Sequence, residues 1–239
     1  MENNLKQTVG EIVAKDFRTA SVFSKYGIDF CCGGDEPLDE ICKKQSVDRT
    51  KLQNDLEEAV RNGKEDVDFN ALPLDLLANY IEETYHAYIK KKAPVLIQYL
   101  GKIKEVHGER HPELYKIFDL FSQSAMDLSM HLQKEERILF PLIRELAEAD
   151  RCGSSVEQSH CGTVQNPISV MKAEHEIEGE RFKKVSELSG GYTTPADGCN
   201  TYHTAYEMLD EFERKLHEHI HLENNILFPK AIEMEKSFF

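Results

Sequence analysis

Apolar residues recur along most of this chain at the three- and four-residue steps of an α-helix, and no segment alternates convincingly with the period of two that a strand needs. The chain is therefore expected to be all-α. Short amphipathic stretches run from Thr8 to Lys15 and from Arg18 to Tyr26, and Gly27-Ile-Asp-Phe-Cys-Cys-Gly-Gly34 reads as a turn. Further helices are expected over Pro37 to Lys44 and Asp48 to Arg61, with Pro37 suited to a first helical turn and Asp48 to an N-cap. A polar stretch, Asn62 to Asp68, serves as a linker. Four long helices follow, from Leu74 to about Val106, Pro112 to about Ala149, Pro167 to Ser189 and Thr201 to Glu235, with Pro94 expected to bend the first. Gly190-Gly191 stops the third, and the Ser-, Gly- and Cys-rich segment from Arg151 to Gln165 is a loop. The organisation is a small helical domain (1–61), a linker (62–71) and an up-down four-helix bundle (72–239).

The bundle contains a repeat. His131-Leu-Gln-Lys-Glu135-Glu-Arg-Ile-Leu-Phe-Pro141 returns as His219-Ile-His-Leu-Glu223-Asn-Asn-Ile-Leu-Phe-Pro229, and each copy has a His about one helix-and-a-turn upstream, His86 and His175. A His and a Glu four residues apart share one helix face, roughly 6 Å apart along the axis. A duplicated helix pair that keeps only these residues and an apolar tail is hard to obtain from packing alone. Brought together, His86, His131, Glu135, His175, His219 and Glu223 would form a metal site in which both carboxylates bridge and the imidazoles are terminal ligands. Imidazole and carboxylate suit iron, manganese or zinc, and a pair of irons fits this set best. Singly, a His on an amphipathic helix is more often an edge-of-core or surface residue; the repeat reverses that preference. Glu136 and Glu174 adjoin the candidate ligands and could orient imidazoles. His217 and His221 point away from His219 and are expected to be solvated or supporting. His107, His111, His160 and His203 fall near helix ends or loops. The two Ile-Leu-Phe-Pro tails are read as core packing and a helix bend.

Composition narrows the function. With 43 acidic against 29 basic side chains the formal charge is −14, and without a basic cluster neither nucleic acid nor an anionic membrane is an expected partner. No apolar run approaches the ~20 residues of a membrane span, and the N-terminus lacks the apolar core of an export signal. The six cysteines then suggest free thiols in a reducing cytoplasm. Cys31 and Cys32, adjacent and followed by Gly33-Gly34, are too close for a relaxed disulfide and are expected on an exposed turn, where they could dock, receive or pass iron or supply electrons. Cys152, His160 and Cys161 form a weaker thiol candidate in the 151–165 loop.

The paired His-x-x-x-Glu…Leu-Phe-Pro segments resemble the hemerythrin-like fold. Together with Asp16-Phe-Arg-Thr-Ala-Ser-Val-Phe-Ser-Lys-Tyr-Gly-Ile-Asp-Phe-Cys31-Cys32-Gly-Gly34, they are similar to the iron–sulfur cluster repair di-iron family over nearly the whole chain. The resemblance implies two non-haem irons, oxo- and carboxylate-bridged, held by the six residues named above. It implies a cytoplasmic protein, monomer or homodimer, that acts on iron–sulfur clusters damaged by nitric oxide or oxidative stress, with the damaged cluster proteins as partners and nitric oxide or dioxygen as possible ligands. Iron donation is the leading reading. Reduction of nitric oxide at the metal pair, and a gas- or redox-sensing module, are the alternatives; no attached signalling domain speaks for the last. Oxygen-carrying hemerythrins resemble a pattern with a further His one turn after the third-helix His, where this chain has Gly179. That difference implies an open metal position.

Overall fold

A computed structural model describes residues 7–62, 67–156 and 162–238. Among them every regular element is helical. In the N-terminal part these are α1 (Val9–Lys15), a 3-10 turn (Phe17–Thr19), α2 (Ala20–Lys25), α3 (Leu38–Lys44) and α4 (Arg49–Asn62). Their boundaries follow from the side chains at their ends. Thr8 and Glu11 form a reciprocal capping box at α1, Asp16 accepts from the Arg18 amide at the 3-10 turn, and Asp48 accepts from the Lys51 amide ahead of α4. The later elements are α5 (Leu74–Ile81), α6 (Ala87–His107), α7 (Glu113–Lys134), α8 (Phe140–Cys152), α9 (Gln165–Leu188), α10 (Asn200–Leu222) and α11 (Phe228–Lys236).

Three of the junctions correct the expected helices. Glu82–His86, Glu135–Leu139 and Glu223–Leu227 are single π-turns, so the first, second and fourth long helices each contain a turn of wider pitch. Phe140 N–H donates to Glu135 O and Phe228 N–H to Glu223 O, five residues back rather than four. The following residue is Pro141 or Pro229, which has no N–H to offer the α-ladder. The tail therefore widens the helix instead of merely bending it. Pro94, by contrast, lies inside the continuous helix α6.

The chain packs as two compact units. One comprises Asn79–Leu142 and Gln165–Leu216. It is a bundle of four helical segments whose core includes Leu96, Leu100, Ile117, Leu128 and Leu209, all at most 2% exposed. Phe121 sits edge-on to both Phe182 and Phe212, at 6.3 and 5.1 Å between centroids, and joins α7, α9 and α10. The other unit comprises Met1–Ala78, Ile143–Val164 and His217–Phe239. There Val9, Val13, Phe23, Leu52 and Phe228 are fully buried. Gly10 allows α1 to come close to the final helix: a Cβ there would meet Asn225 Oδ1 at 2.8 Å. The third long helix ends at three successive left-handed residues, Gly190, Gly191 and Tyr192.

Candidate metal centre

In the bundle unit, Glu135 begins a π-turn and is fully buried. Its Oε1 lies 3.3 Å from His131 Nε2, and its Oε2 lies 3.4 Å from His86 Nε2. His175 Nε2 faces His131 Nε2 at 3.1 Å. Each of these rings turns Nε2 inward, which leaves Nδ1 to be held from behind. His86 Nδ1 donates to Glu136 Oε1 at 2.8 Å, and the same oxygen accepts from Lys90 Nζ at 2.5 Å. His131 Nδ1 donates to Glu174 Oε2 at 2.8 Å, and Lys134 closes the other side of that carboxylate. The two arrangements are duplicates: imidazole, carboxylate, lysine. Hydrogen bonds from His131 and Lys134 hold Glu174 down to about 2. Partial burial pushes Glu136 upward, but hydrogen bonds from Lys90 and His86 outweigh it and keep its carboxyl below the usual range. Both acids therefore stay ionised, which fixes the ring tautomers and raises the basicity of the inward nitrogens. Phe140 of the first apolar tail stacks on His86 at 5.4 Å.

The second copy of the motif supplies His219 and Glu223, both fully buried, with Nε2 and Oε1 2.9 Å apart. The ligand atoms of His86, Glu135, His219 and Glu223 all lie within 4.8 Å of one another, as do those of His131, Glu135, His175 and Glu223. The six residues singled out from the sequence thus fall into two groups of four that share both carboxylates. The donor set fits a pair of metal ions. Isolated carboxylates without solvent exposure carry a desolvation cost of several kcal/mol, roughly, which cations ligated on the spot would offset.

The remainder of the second copy does something the sequence reading missed. Asn225 Nδ2 donates to Phe30 O at 3.2 Å and Asn224 Nδ2 to Cys31 O at 3.2 Å. His221 is fully buried rather than solvated, with Nδ1 2.9 Å from Asn225 Nδ2 and 3.3 Å from Phe30 O. Burial pulls its imidazole down to about 4, so it is neutral there. His217 is half-buried and edge-on to Phe30. The backbone just ahead of the cysteine pair is therefore gripped by three side chains of the metal-motif helix.

Asp29 organises the cysteine turn itself. Its Oδ1 accepts from the amides of Cys31 and Cys32, both at 2.9 Å, and its Oδ2 from that of Gly33 at 3.0 Å. Cys31 Sγ also lies 3.2 Å from Asp29 Oδ1 and 3.7 Å from Cys32 Sγ. The expectation of an exposed pair holds only for Cys32, which is half-buried, because Cys31 is buried. Its hydrogen bond with Cys32, burial and the Asp29 charge all push the Cys31 thiol up, so it is held protonated. The ligand atoms of Asp29, Cys31 and Cys32 form a third close group. Cys152 is exposed on the last turn of α8, while His160 and Cys161 lie outside the described residues.

Residues 77–231 match the hemerythrin HHE cation-binding domain, and residues 5–60 match ScdA_N, a domain described as of unknown function. The chain is 33% identical to the iron-sulfur cluster repair protein YtfE of Musicola paradisiaca, across 96% of this chain and 98% of that one. It is 32% identical to the iron-sulfur cluster repair protein ScdA of Staphylococcus haemolyticus, across 93% and 96%. The YtfE protein of Pectobacterium atrosepticum is also 32% identical, across 96% and 98%. None of the helices, among the described residues, is long and apolar enough to cross a membrane.

Proposed function

The chain belongs to the hemerythrin HHE cation-binding family, and from that premise we propose that it repairs damaged iron–sulfur clusters by holding iron and giving it up to them. The observation that carries this reading is the pair of four-residue groups sharing Glu135 and Glu223. The names of relatives that match over nearly their full length support the repair role. In this reading His86 and His219 hold one iron, His131 and His175 the other, and both carboxylates bridge, with an oxo group completing the pair. Iron in such a site can change oxidation state, and the ferrous ion is held more weakly by carboxylates than the ferric ion, which favours its release.

The chain's own residues prepare that release. Glu136 and Glu174 keep the His86 and His131 rings aimed inward. The surrounding apolar side chains, Phe140 among them, exclude water and so sharpen every electrostatic contact. Cys32, the more exposed thiol of the turn, is the side chain placed to meet iron or a client cluster outside the centre. The clients are proteins with clusters damaged by nitric oxide or oxidants, in the cytoplasm.

The test is direct. Full-length, iron-loaded protein incubated with a dehydratase that has lost cluster iron should restore the dehydratase's activity, and the near-ultraviolet absorption of the donor should fall in step. Glu135→Leu and Glu223→Leu should restore nothing. A wild-type protein that carries iron yet restores no activity would overturn the donation reading.

A further inference from the structure

A second constellation of reactive side chains lies far along the chain from the metal motifs. Cys199 is exposed and sits at the N-cap of α10, its carbonyl accepting the His203 amide at 3.1 Å. His107, at the end of α6 and only 4% exposed, points Nε2 at Cys199 Sγ from 3.2 Å. Nδ1 of that ring, equally buried, has no hydrogen-bond partner. A buried imidazole directed only at a sulfur is not explained by packing. Its ring lies 5.3 Å from that of Tyr202, which fixes its tilt. The turn before Cys199 is also tight: a Cβ on Gly198 would meet Thr194 Cγ2 at 2.6 Å and Pro195 O at 3.0 Å.

The electrostatics around this sulfur are the opposite of those at the cysteine pair. Amide hydrogen bonds from Tyr202 and then Thr201, the first turn of a long helix, outweigh the slight burial and hold the Cys199 thiol below its ordinary range. The other titratable groups of the neighbourhood are mutually engaged. Asp197 accepts from His111 and pairs with Arg110, and Glu113 pairs with His111. Tyr202 and Tyr206 meet through their hydroxyls at 3.3 Å. This leaves the His107 imidazole as the group placed to take or return the sulfur's proton.

We propose that Cys199 and His107 form a reactive thiol site whose substrate is a hydroperoxide. Sγ attacks one peroxide oxygen; an S–O bond forms as the O–O bond breaks. Sulfur is oxidised by two electrons to a sulfenic acid, and the departing oxygen, reduced, leaves as water or an alcohol with the thiol proton returned through His107 Nε2. Twenty residues of α10 separate Cys199 from His219, about 30 Å of helix, so this chemistry is independent of the metal centre.

The experiment compares cysteines within one molecule. Full-length protein is labelled with iodoacetamide across a pH series, and separately with dimedone after one equivalent of hydrogen peroxide, and the sites are read by peptide mass spectrometry. At pH 7 Cys199 should alkylate roughly tenfold faster than the exposed Cys152, reach half its maximal rate at lower pH, and carry the dimedone adduct. His107→Phe should slow alkylation of Cys199 at pH 7 by about threefold or more. Cys199→Ser should abolish the adduct and leave the iron content unchanged. Equal alkylation of Cys199 and Cys152, or dimedone spread evenly between them, would overturn the proposal, and this comparison holds in the wild type even if the His107 variant does not fold.

Discussion

The two copies of the His-x-x-x-Glu motif agree in every position that faces the metal centre and disagree in almost every other. His131 and His219, and Glu135 and Glu223, are equivalent, and each Glu opens a π-turn that ends before Phe-Pro. Between them the sequences diverge with purpose. Gln133 and Arg137 of the first copy are exposed, whereas their counterparts His221 and Asn225 are engaged with Phe30 O. Glu136 turns to His86, while Asn224 in its place turns to Cys31 O. Ile138 is 44% exposed and Ile226 only 2%. Duplication preserved the ligands, and the free faces were then spent differently: one copy orients imidazoles, the other clasps the cysteine turn.

That contrast can be broken at several points. The largest effect falls on the shared carboxylates. Because each belongs to both groups of four, Glu135→Leu and Glu223→Leu should each deplete both metal ions, whereas His86→Leu should deplete one, as read by metal analysis of purified protein. If either Leu variant keeps its full metal content, the bridging assignment is wrong.

Next comes the apolar tail. Ile226→Ala should lower stability by about 2–4 kcal/mol in denaturant unfolding, and Ile138→Ala by less than about 1 kcal/mol. Equal losses would mean the second copy's tail is no better covered than the first's. Replacing Glu136 or Glu174 with Gln should weaken metal affinity about 10–100-fold while leaving the ligands in place, measured by chelator competition. A smaller change is expected at the clasp. Asn225→Ala should cost about 1–2 kcal/mol and speed alkylation of Cys31, and Arg137→Ala should change stability by no more than about 0.5 kcal/mol.

What could be read from the residues alone follows the range of the interaction. Helical periodicity, the Gly190-Gly191 stop and the Asp48 cap are local, and they appear where expected. The six candidate ligands were legible because the repeat marks them twice. The π-turns were not: a Phe-Pro step announces a disturbed helix without saying whether it bends or widens. The clasp was invisible for a different reason. His221 and Phe30 are 191 positions apart, and nothing in either neighbourhood names the other. Asp29 was closer to hand, since an Asp two residues before successive amides in a Gly-rich turn is a common way to collect them. The burial of Cys31 follows from the same turn, which rolls its side chain inward.

A π-turn is a helix carrying one residue more than its ladder requires. Take that residue away anywhere in 136–138 and the ladder can close as plain α, but everything after it swings by about 100° around the axis. Leu139 and Phe140 would leave their places in the interior, and the stack on His86 would go with them. These helices should therefore accept many exchanges of side chain at such a turn and yet not survive its shortening by a single position.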